Sequence, residues 1–140
     1  MENKSYNIRI HGIDIIEKCL FRTVQNESNF NFDIKADSVI DADNNLAIMF
    51  VGVDIRKLGE KEILGNIVVG VGFFVENLNN SFDKTDKGLT IPTELEQLFK
   101  SIAISTVRGI MFSEFRGTAL SRAVLPVISP DQMRRVEGTL

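Results

Sequence analysis

The sequence has one cysteine and one histidine, and each scarcity closes off a class of chemistry. A lone Cys19 excludes an internal disulfide and fits a reducing compartment, with the cytoplasm as the expectation. A lone His11 leaves no histidine cluster to ligate a metal and no second imidazole to act as a base. Basic charge is also short: 16 Lys and Arg stand against 19 Asp and Glu, for a net charge of −3. Such a chain lacks the basic face that neutralises phosphates, so no nucleic acid is expected as a partner. No apolar run approaches the ~18 residues of a membrane helix. The opening Met1–Ser5 is polar, with nothing of signal-peptide type behind it.

What is present suits one globular domain, with 140 residues, 44% of them hydrophobic and 25% charged. The charge is unevenly spread. Glu27, Asp33, Asp37, Asp41, Asp43 and Asp54 face only Lys35, whereas bases outnumber acids from Gln97 onward. Two readings stay open: ordinary solvated faces, or an acidic sheet surface that docks a basic partner.

Strands are predicted over about residues 5–78. Ile8 and Ile10 alternate with polar neighbours; after Gly12 the phase slips, and Ile13, Ile15, Glu17, Cys19 and Phe21 share the other parity. A one-residue slip at a glycine is the mark of a β-bulge. On that parity Cys19 reads as a small core residue. Phe30, Phe32 and Ile34 form one face of a second strand, and Val51, Val53 and Ile55 one face of a third. Turn signals at Asp43-Asn44-Asn45 and Leu58-Gly59-Glu60-Lys61 suggest short connections and a four-stranded antiparallel meander.

After a polar loop over 79–92 the period changes. Thr93-Glu94-Leu95-Glu96 reads as a capping box, opening a helix over 93–116 that stops at Gly117. Ser129-Pro130 starts a short C-terminal helix over 130–137. The class is α+β. Leu95, Leu98, Phe99, Ile102, Ala103 and Ile110 make one apolar stripe of the long helix; Ile104, Met111, Phe112 and Phe115 fall largely outside it. A single sheet covers one stripe, so these four are candidate oligomer contacts; the alternative is a cover made by a loop or the C-terminal segment. Local chemistry is absent: Gly70-Val71-Gly72 lacks a third glycine and opens no helix, and Asp41-Ala42-Asp43 lacks the later ligands of a calcium loop. No enzyme is expected, and a small-molecule-binding protein that uses an apolar pocket is an alternative.

Leu64-Gly65-Asn66-Ile67-Val68-Val69-Gly70-Val71-Gly72-Phe73-Phe74-Val75, then Arg116-Gly117-Thr118, then Leu125-Pro126-Val127-Ile128 resemble, in this order, strings of the SecB family of preprotein-binding export chaperones. The resemblance implies a four-stranded antiparallel sheet with a long helix, assembled as a dimer of dimers. It also implies a homotetramer that binds unfolded polypeptide in apolar grooves, needs no cofactor, and hands clients to the SecA motor. Phe82, Phe99, Phe112 and Phe115 are the candidate client contacts, and Glu17 and Leu64 the candidate docking residues. Two departures weigh against SecA. Asn66 stands where the family's docking surface has an acid, and the last residues, Arg134 to Leu140, form no acidic tail. Family members attached to toxin–antitoxin systems, which protect an antitoxin, keep the groove without the motor.

Overall fold

The computed structural model describes residues 6–20, 29–127 and 134–135. Four long strands, β1 (Ile8–Leu20), β2 (Phe30–Asp41), β3 (Leu46–Lys57) and β4 (Ile63–Val75), form an antiparallel sheet. A helical turn, α1 (Leu78–Ser81), and a small hairpin, β5 (Asp83–Thr85) with β6 (Gly88–Thr90), follow where a plain loop is predicted. Then come the long helix α2 (Thr93–Glu114) and a two-residue strand, β7 (Arg134–Arg135).

Sequence pattern and sheet agree best at β3. Ala47, Met49, Val51, Val53 and Ile55 are buried on one face, while Ile48, Phe50, Asp54 and Arg56 alternate on the other. The turns form as their residues require, with Asn45 at φ 56° and Gly59 at φ 82°. The connectivity departs from a simple meander. The order is β1-β4-β3-β2-β7, so β1 pairs with β4 and not with its sequence neighbour. Short turns join β2 to β3 and β3 to β4.

The slip at Gly12 is a bulge between Ile10 and Gly12, as the parity change predicts. A second bulge, between Ile15 and Glu17, leaves no glycine signal in the sequence. It turns Glu17 and Cys19 to the face of Val68 and Asn66, so Cys19 is half-buried on the sheet's outer face and not in the core.

Helix α2 lies across β3 and β4, and Phe99 stacks on Phe73 with ring centroids 4.1 Å apart. Pro92 caps the helix, with no side-chain capping bond; Thr93 is its first residue and Glu96 pairs with Lys100 at 3.2 Å. The capping box is thus not formed. The helix ends at Glu114, capped by Phe115, two residues before the expected 116, and Gly117 lies beyond it in the left-handed region at φ 77°. Residues 118–127 fold back and add Leu120, Ala123 and Leu125 to the core. The short helix over 130–137 lies mostly outside the described residues; the two that are described, Arg134 and Arg135, pair with β2 as a strand.

Candidate functional site

Large apolar side chains left in water mark where such a molecule meets others. β1 is the edge strand of the sheet, with no strand beyond it among the described residues, and Ile10, Ile13 and Ile15 on its helix side are 49%, 47% and 44% exposed. They stand opposite Phe73, Val71 and Val69, which the helix buries. On α2, Leu98 and Phe112 are exposed; Phe112 is the more so, at 60%. An ion pair from Lys18 to Glu114, at 2.8 Å, links the end of β1 to the end of the helix.

The predicted client contacts separate by burial. Phe82, Phe99 and Phe115 sit in the core of the chain, and only Phe112 presents its ring to solvent. Of the predicted oligomer contacts, Ile104 and Met111 are likewise buried. On the same helix Arg108 ties down the returning segment: its Nε donates to Leu125 O and its Nη2 to Pro126 O, both at 2.8 Å. A helix face that looked surplus is therefore largely closed by the same chain. The isoleucines of β1, which periodicity alone assigns to a core, are the ones left open.

The outer sheet face gathers Asp14, Glu17, Asp33, Asp37, Asp41 and Asp54, whose register partners all lie on that side. Arg56 donates to Asp33, and Arg9 lies 4.3 Å from the centroid of Phe74. Between the acids is a depression of about 190 Å3, walled by Ile16, Ile48 and Phe50, with Gly70 and Gly72 beneath. A Cβ at Gly70 would stand 3.1 Å from the Phe50 ring, so the glycine makes room for that ring and not for a phosphate. His11 and Asp14 border the depression. Among the described residues no group of three His, Cys, Asp or Glu could hold a metal ion. Glu17 is exposed on this face, whereas Leu64 is buried. Asn66 is on it too, its Oδ1 without a hydrogen-bond partner among the described residues.

No family model and no curated protein matches the sequence. Among solved structures, the chain is similar to the Mycobacterium tuberculosis Rv1957 SecB-like chaperone, determined in complex with a ChAD peptide from the Rv1956 HigA1 antitoxin. The match has a TM-score of 0.57 and covers 86% of this chain and 90% of that one, at 13% identity. The fold is SecB-like. At that identity the likeness rests on architecture: four long antiparallel strands and one long helix across them. No helix among the described residues is long and apolar enough to cross a membrane.

Proposed function

We propose that this chain is a subunit of a SecB-like chaperone that holds extended or non-native polypeptide on apolar surface and performs no chemistry on it. The supporting observation is the set of wet apolar side chains, Ile10, Ile13 and Ile15 on β1 with Leu98 and Phe112 on the helix. Apolar contact, at ~25 cal/mol per Å2, is non-directional and admits many sequences. The working form is a homo-oligomer in the cytoplasm, a dimer of dimers. The β1 edge meets its counterpart in a second copy, which covers the isoleucine row and pairs the free backbone. The outward face of α2 then meets another pair. There Ser101, Ser105 and Gly109 share a side with Leu98 and Phe112, and a Cβ at Gly109 would meet nothing within 4 Å.

In a second reading, supported by the antitoxin peptide bound to the similar chaperone, this chain serves one dedicated partner. Light scattering of an aggregating denatured protein, with and without the purified chain, tests the first. Suppression that unrelated unfolded proteins compete away supports the general chaperone; failure to suppress any unrelated client refutes it. Phe112→Asp is expected to lower the assembled mass or abolish suppression, because an unpaired charge at a covered site is costly. Unchanged mass together with unchanged suppression removes Phe112 from both surfaces.

A further inference from the structure

We infer that the outer edge of β2 accepts an extended strand of client polypeptide and that the chain's own β7 competes for it; this rests on the client-holding function proposed above. β2 has 12 residues and pairs with β3 along all of them, whereas among the described residues β7 pairs with Lys35 and Ala36 alone. Among the described residues no other strand lies on that edge.

The direction of the β2 backbone follows from its pairing. Leu58 N donates to Asn29 O at 3.1 Å, so the alternate residues counted from Asn29 exchange bonds with β3. The register runs without a shift, which leaves Phe32, Ile34, Ala36, Ser38 and Ile40 with their N–H and C=O groups turned outward. Ser38 agrees: its amide donates to Asp37 Oδ1 at 2.8 Å. The side chains of these residues lie on the helix side, where Phe32, Ile34 and Ile40 are half-buried against the core. A strand added here gains main-chain bonds that require no particular sequence, and its alternate side chains lie beside that apolar row.

The edge already holds such a strand. β7 pairs with it in the parallel sense at Lys35 and Ala36, so a client strand that takes the edge must displace that pairing. An occupied edge weakens apparent affinity by the fraction of molecules in which it is free.

The test uses the full-length chain and a fluorescent, unstructured peptide of alternating apolar and polar residues. Arg134→Pro removes the β7 amide that, in this parallel register, reaches the outward Ile34 carbonyl, and it fixes φ there. If β7 holds the edge about nine-tenths of the time, this variant binds the peptide about tenfold more tightly. Ser38→Pro deletes an outward amide that β3 does not use, a position where an edge strand tolerates proline, and weakens binding severalfold. Both changes together support the inference; unchanged or weaker binding by Arg134→Pro overturns it. Hydrogen exchange on the unmodified chain guards against a misfolded Ser38→Pro: the Phe32, Ile34 and Ser38 amides gain protection when peptide is added, and no gain also overturns the inference. If the unmodified chain binds no unfolded polypeptide of any kind, the proposed function itself fails, which is a separate outcome.

Discussion

Phe99 and Phe112 occupy the same helix, and the structure gives them opposite tasks. Phe99 is fully buried and stacked on Phe73, so Phe99→Ala removes a core ring and leaves a cavity against β4. Truncations of this kind cost about 3–5 kcal/mol, set against a typical total of about 5–15 kcal/mol for a domain. With a urea m-value of about 2 kcal/mol/M, the midpoint falls by roughly 2 M. Phe112, at 60% exposure, loses little intramolecular packing on truncation, and Phe112→Ala is expected to change the stability of the isolated subunit by no more than about 0.5 kcal/mol. Urea titrations at two protein concentrations measure both. Equal losses for the two variants would refute the assignment of Phe99 to the core and Phe112 to the surface. A Phe112→Ala loss that grows with protein concentration identifies Phe112 as covered in the assembly, because association adds to the stability of whatever it binds.

Gly65→Ala places a methyl 2.6 Å from Leu120 Cδ1 and 2.9 Å from the Cys19 carbonyl oxygen. The leucine tip can turn aside, but the β1 backbone must shift, so a loss of about 1–3 kcal/mol in thermal or urea melting is expected, and an unchanged midpoint contradicts the close approach. Arg108→Ala removes both bonds to the returning segment. Amides near Leu120 and Leu125 should then exchange faster, with a stability loss of about 1–2 kcal/mol; unchanged exchange would mean the segment is held by its apolar side chains alone.

Local pattern determined much of this protein from sequence alone. The clean alternation of β3, the glycine slip at Gly12, the turn at Asp43-Asn44-Asn45 and the helix stop at Gly117 are each written in a few adjacent residues, because strand period, left-handed backbone and helix termination are short-range properties. Only the tertiary structure decided which apolar residues stay wet. Placing β1 beside β4 put its isoleucines on the edge strand, where they stay exposed, and residues 118–127 fold back into the same core that holds Ile104, Met111 and Phe115. Periodicity reports that a face is apolar but not what covers it, since the cover comes from chain elements far away in sequence. The bulge at Ile16, which sends Cys19 to the outer face, was hidden for a related reason: its register is set by pairing with β4 and no residue within β1 announces it.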